Sequence, residues 1–160
     1  MGTQTLDTQV IELIGRNRLG SELLRAGLEV AVPARDRGVD LIAYADLSSN
    51  VERFIARPIQ MKAASKRSFS LFKKYERLAD LIIAYIWFIE EPENTVTYAL
   101  TYNEALVLAT EVGWTKTKSW EREGYSTTSP SVDICKLLEP HRMTPQKWWA
   151  KVTAGAGLKK

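Results

Sequence analysis

The chain has 160 residues, 45% of them hydrophobic and 26% charged, which suits one globular domain with its own core and rules out collagen-like or linker-like polymers. Its longest apolar run, Leu81 to Ile89, falls far short of the roughly 20 residues of a membrane-spanning helix, and its first residues lack the basic start and apolar stretch of an export signal, so a cytoplasmic protein without a membrane partner is expected. The net charge is +3, and the single Cys135 and single His141 exclude an internal disulfide and a zinc site of the usual four ligands.

Helical spacing of Val10, Leu13, Ile14, Leu23 and Leu24 predicts one long helix from about Thr8 to Ala26, with Asp7 or Thr8 as its N-cap and Gly27 as its stop. Gly15 and Gly20 lie inside it, each at a cost of roughly 1 kcal/mol against alanine, and mark a weaker helix or a close approach of another backbone. Three strands follow: E-V-A-V-P (29–33), V-D-L-I-A-Y-A (39–45) and R-F-I-A-R-P-I-Q-M-K-A (53–63). The last two flank a turn-rich D-L-S-S-N (46–50) and read as an antiparallel hairpin centred on Ser49 or Asn50, a register that sets Asp40 opposite or nearly opposite Gln60.

Residues Phe69 to Ala79 predict a basic amphipathic helix, and L-I-I-A-Y-I-W-F-I (81–89) a strand buried on both faces. T-V-T-Y-A-L (95–100) is another strand, and Thr101 with Glu104 forms a capping box for a helix to about Glu111, closed by Gly113. The stretch after Trp114 is open between hairpin and loop. A short helix near Asp133 to Leu138 and a terminal helix begun by Thr144 and Pro145, carrying Trp148 and Trp149, complete the pattern. The expected architecture is α/β: one domain over residues 1–153, a mixed central sheet flanked by helices, and a frayed tail at 154–160.

The charge is uneven. Residues 1–80 carry 13 basic and 10 acidic side chains against nine of each in the remainder, and the excess gathers between Arg53 and Arg77. Lys66, Arg67, Lys73 and Lys74 are the candidates for contacts to a nucleic-acid backbone, set against the ordinary reading of a basic run as a solvated face.

Chemistry concentrates on the hairpin. Side chains two apart on a strand share a face, so Gln60 and Lys62 point together, away from Ile59, Met61 and Ala63, and Asp40 comes up beside them. A carboxylate held in an α/β core is expensive unless it is paired or coordinates something. Asp40 can hold Mg²⁺, Gln60 can offer an amide oxygen and position a water, and Lys62 can orient a nucleophile or offset charge developing on a phosphate, which together describe metal-assisted phosphodiester hydrolysis.

G-V-D followed by I-Q-M-K resembles the PD-(D/E)xK nuclease superfamily, closest in pattern to archaeal Holliday-junction resolvases and Mrr-type endonucleases that carry Gln-x-Lys. The resemblance covers about residues 8–90 and implies a restriction-endonuclease-like fold with the order helix, strand, Asp strand, Gln-x-Lys strand, helix. It also implies an acidic residue on the first helix; G-S-E-L-L-R-A-G puts Glu22 in that role, with an ordinary ion pair to Arg18 or Arg25 as its other reading, a spacing that Glu12 and Arg16 repeat.

The implied activity is Mg²⁺- or Mn²⁺-dependent hydrolysis of DNA, with Glu22, Asp40 and Gln60 as metal ligands and Lys62 as the catalytic cation. A homodimer is the other candidate partner. Gln60 stands where the superfamily name specifies an acid, which removes a negative charge. Asp36, in the preceding loop, is a weaker substitute for it. The alternative is a catalytically inactive DNA-binding or protein-interaction module of the same fold. His141 reads as a surface residue, Cys135 as a small buried hydrophobe, and Trp114, Trp120, Trp148 and Trp149 as core residues before base-stacking ones.

Overall fold

The computed structural model describes residues 5–46, 48 and 50–159; Ser49, one of the two centres expected for the hairpin, lies outside them. In chain order the elements are α1 (Thr8–Arg25), β1 (Glu29–Ala31), β2 (Leu41–Ala45), β3 (Ile55–Ala63), β4 (Phe69–Phe72), β5 (Ile82–Trp87), β6 (Val96–Thr101), α2 (Tyr102–Glu111), α3 (Lys118–Arg122), β7 (Gly124–Thr127), α4 (Val132–Leu138) and α5 (Pro145–Thr153). Polar caps set the starts: Asp7 accepts the Val10 N–H at 2.9 Å, Thr101 and Glu104 form the expected capping box on α2, and Thr144 caps α5 ahead of Pro145.

One five-stranded mixed sheet, flanked by helices, organises the chain in the order β1-β2-β3-β5-β6. β1, β2 and β3 form an antiparallel meander, β5 runs parallel to β3, and β6 returns antiparallel. The β2–β3 register pairs Leu41 with Ile59, which carries Asp40 to the position facing Gln60. Each residue of β5 is buried, because successive side chains enter opposite layers. Ile82, Ala84 and Ile86 meet Leu19 and Leu23 of α1 and Trp148 and Val152 of α5. Ile83, Tyr85 and Trp87 enter the other core, with Phe69, Leu71, Leu108 and Trp114.

Gly15 sets how closely α1 lies on β3. A Cβ built there would stand 2.6 Å from the Ala63 Cβ and 3.1 Å from the Met61 Sδ, so only glycine admits this approach. Gly20, by contrast, faces open space.

Two expectations are corrected. Residues 69–79 are not a helix. Phe69 and Leu71 are buried and alternate with Ser70 and Phe72, a two-residue period, and pair as β4 with β7; the chain then makes one 3-10 turn over Lys73–Arg77. Gly124 permits this pairing, since a Cβ on it would fall 2.3 Å from the Leu71 carbonyl oxygen. The tail is not frayed either. Ala156 is buried, the Glu52 N–H donates to the Gly157 carbonyl at 3.2 Å, and the Lys159 N–H to the Asn50 carbonyl at 2.9 Å, so the folded unit runs through residue 159. Among the described residues no helix is long and apolar enough to cross a membrane.

Candidate functional site

Asp40 stands one residue before β2, where Gly38 (φ +92°) turns the chain out of a loop that Asp36 shapes by accepting the Gly38 N–H at 3.3 Å. The carboxylate is 7% exposed. Its Oδ2 accepts two hydrogen bonds, from the Met61 N–H at 2.6 Å and from Gln60 Nε2 at 2.7 Å. Its Oδ1 takes none among the described residues; the Arg16 Nη2 is 3.9 Å from it, close enough for attraction and too far for a hydrogen bond. Burial pushes the Asp40 carboxyl above its ordinary range. The Met61 N–H works against this, neighbouring Asp36 adds to it, and Arg16 and Lys62 oppose it.

The open side of Asp40 faces a cavity of about 170 Å³ that is also lined by Glu12 and Arg16 of α1, Asp36, Gln60 and Lys62. Lys62 Nζ lies over the rings of Phe72 (5.7 Å) and Tyr75 (5.6 Å), and Lys74 Nζ approaches the same two rings at 5.8 and 5.3 Å, so the 3-10 turn brings a second cation to the rings that hold Lys62. Arg16 Nε is buried with no hydrogen-bond partner, an arrangement that costs about 1–3 kcal/mol. A larger cavity of about 570 Å³ between α1 and β1 shares Arg16 but is walled by Leu24, Val30, Val32 and Leu41, and it gathers no cluster of titratable groups.

Asp40, Gln60 and Lys62 therefore come together, and Glu22 does not join them. Its Oε1 accepts from Arg18 Nε at 3.1 Å and from the Thr97 hydroxyl at 2.8 Å, and its Oε2 from the Trp148 indole N–H at 3.2 Å. Glu22 thus ties α1 to β6 and α5. The acid of α1 that lines the cavity is Glu12, about 15 Å back along the helix axis at 1.5 Å per residue. Its spacing to Arg16 suggested a surface ion pair; among the described residues no such pair forms. The signal that singles it out is its place one turn before Gly15, the point of contact with β3.

Of the basic candidates, Lys66 and Arg67 lie in the loop after β3, with Arg67 stacked 5.9 Å from the Phe88 ring centre. Lys73 is engaged, donating to the Glu121 carbonyl at 3.2 Å and covering Trp120, whereas Lys74 is exposed. Trp114, Trp120 and Trp148 are core residues, Trp149 packs partly against the α1 layer, and Cys135 packs against the opposite one. His141 is half-buried, and burial pushes its imidazole below its ordinary range.

A hard divalent cation takes carboxylate, carbonyl and water oxygens. The uncommitted Asp40 Oδ1 and the carboxylates of Glu12 and Asp36 have that chemistry and open on one cavity. They are not drawn together: among the described residues no three His, Cys, Asp or Glu side chains are grouped so as to hold a metal ion. No family model, characterised protein or solved structure matches the chain.

Proposed function

We propose that this protein is a metal-dependent nuclease of the PD-(D/E)xK kind that hydrolyses phosphodiester bonds in DNA. One observation carries the reading: a buried carboxylate, Asp40, keeps one oxygen uncommitted at a cavity that Gln60, Lys62 and Glu12 share. Among the described side chains only Arg16 Nε is both buried and without a partner, so Asp40 Oδ1 is open to the cavity and available to a ligand there. The order helix, strand, Asp strand, Gln-x-Lys strand and the mixed sheet that it builds support a restriction-endonuclease-like fold, while the helix expected next is replaced by β4 and a 3-10 turn.

Asp40 and Glu12 would hold Mg²⁺ or Mn²⁺, with Asp36 within the same cavity, and a bound cation would lower the pKa of its water and offset charge on the scissile phosphate. Gln60 can offer its amide oxygen to the same cation, and its amide nitrogen has a positioning role. Its amide nitrogen is committed to Asp40 Oδ2, which turns Oδ1 outward, and a neutral amide there leaves the site one negative charge poorer than a glutamate would. Lys62, steadied by Phe72 and Tyr75, presents a cation to the phosphate as charge develops on it. Lys66 and Arg67 in the loop after β3 and Lys74 in the 3-10 turn are exposed residues and suit a DNA strand leading to Lys62.

The second reading, an inactive DNA-binding or protein-interaction module, draws on the ungrouped acids and on Gln60. A cleavage panel separates them: linear, nicked and branched DNA substrates with Mg²⁺, Mn²⁺ or EDTA, using wild type and Asp40→Asn. Metal-dependent cutting lost in Asp40→Asn is the expected result. DNA binding with no cutting of any substrate would favour the module.

A further inference from the structure

Resting on the nuclease reading, we propose that Arg16 is a phosphate-binding residue of this site, held by Asp40 in the resting protein and donating to a backbone phosphate of DNA once the charge of Asp40 is offset. Nε and Nη2 of an arginine share the edge of the guanidinium that grips phosphate in bidentate fashion. In Arg16 that edge is unspent: Nη2 stands 3.9 Å from Asp40 Oδ1, and Nε has no acceptor.

Its other donors make no hydrogen bond among the described residues either, in contrast to Arg18 and Arg57, which donate to backbone carbonyls and carboxylates. An arginine that served only to fix Asp40 would be expected within hydrogen-bond reach of Oδ1, which is open to it. Arg16 is instead attracted without being bonded, at the boundary of two cavities, so its head can turn without breaking an existing hydrogen bond. Lys62 and Arg16 both border the Asp40 cavity, from β3 and from α1, and together they can hold a phosphate from two sides.

The test needs no metal. Replacing Asp40 by Asn removes the charge that detains Arg16 while keeping an oxygen for the Met61 N–H. A fluorescein-labelled DNA duplex is titrated in EDTA over a range of salt, by fluorescence anisotropy, with wild type, Asp40→Asn, Arg16→Gln and the double variant, and with Arg16→Lys as a second substitution that keeps the charge.

The expected result is tighter binding by Asp40→Asn than by wild type, and loss of that gain, about tenfold or more, in the double variant. The log–log salt slope should then fall by about 0.9, the signature of one lost phosphate contact. Arg16→Lys should keep the slope and lose part of the affinity. Equal affinity and slope with and without Arg16, in both backgrounds, would overturn the proposal and leave Arg16 as an ion partner of Asp40. If wild type still cuts DNA in Mg²⁺ with that outcome, the inference alone fails; if no variant binds or cuts DNA, the nuclease reading fails with it.

Discussion

Two carboxylates contact or neighbour the same helix, and they are finished differently. Glu22 is answered on both oxygens, by Arg18, the Thr97 hydroxyl and the Trp148 indole, and its neighbours come from three elements. Asp40 is answered on one oxygen, and the arginine beside it stops short of a hydrogen bond. The first is a joint: its charge is spent on holding α1, β6 and α5 together. The second keeps its capacity in reserve, at a cavity that four other ionisable side chains of the chain's first half, Glu12, Arg16, Asp36 and Lys62, also line. A buried acid bonded to protein donors on both oxygens stabilises a fold, whereas one that opens an oxygen on a cavity is available to a ligand.

The sharpest way to break this contrast is through activity. Lys62→Ala should lower DNA cleavage by a factor of about 100 or more, since it removes the one cation held on the Asp40 face of β3. Its contacts to half-buried Phe72 and buried Tyr75 are cation–π contacts worth about 0.5–2 kcal/mol, so the melting temperature should fall by a few degrees. A parallel loss of fold and activity, followed by thermal melts and cleavage rates, would make Lys62 a packing residue.

Glu22 should behave in the opposite sense. Glu22→Gln sets an amide N–H against a donor in either orientation, the buried Trp148 indole or the Arg18 guanidinium, and leaves an unsatisfied polar group at about 1–3 kcal/mol, a fall of several degrees in a thermal melt. Cleavage per folded molecule should be unchanged. Glu12→Gln, on an exposed stretch of helix, should leave the melting temperature within the small range of a surface substitution.

The smallest effect concerns pH. The folded Asp40 carboxyl holds its proton more tightly than the unfolded one, whose ordinary value is 3.8, so its charging costs stability as pH rises from that value through the raised folded value. Asp40→Asn should therefore melt slightly higher than wild type at neutral pH without metal, and the difference should vanish in acid below the ordinary carboxylate range. A gap that grows in acid would mean that burial does not dominate at Asp40.

Much of this site is legible in the sequence because the hairpin register is. Two strands in sequence joined by a turn-rich connection pair antiparallel, and Asp40 facing Gln60 with Lys62 two residues on follows from it. What periodicity cannot say is which turn of α1 lies over which residue of β3. That is settled by a contact, Gly15 against Ala63 and Met61, and it exchanges Glu22 for Glu12 at the cavity. The β4 strand was hidden for a related reason. Its partner β7 lies some fifty residues away, and four residues of alternation amid lysines look locally like an amphipathic helix. Arg16 could not be found from spacing at all, since its distinguishing feature is a hydrogen bond that it does not make.

The central claim is that Asp40 with Glu12, and not Glu22, forms a divalent-cation site. A calorimetric titration of Mn²⁺ into wild type, Glu12→Gln, Glu22→Gln and Asp40→Asn addresses it directly. Saturable binding in wild type and Glu22→Gln, weakened about tenfold or more in Glu12→Gln and absent in Asp40→Asn, is the predicted result. No saturable heat in wild type, or binding that survives in Asp40→Asn and is lost in Glu22→Gln, would contradict it.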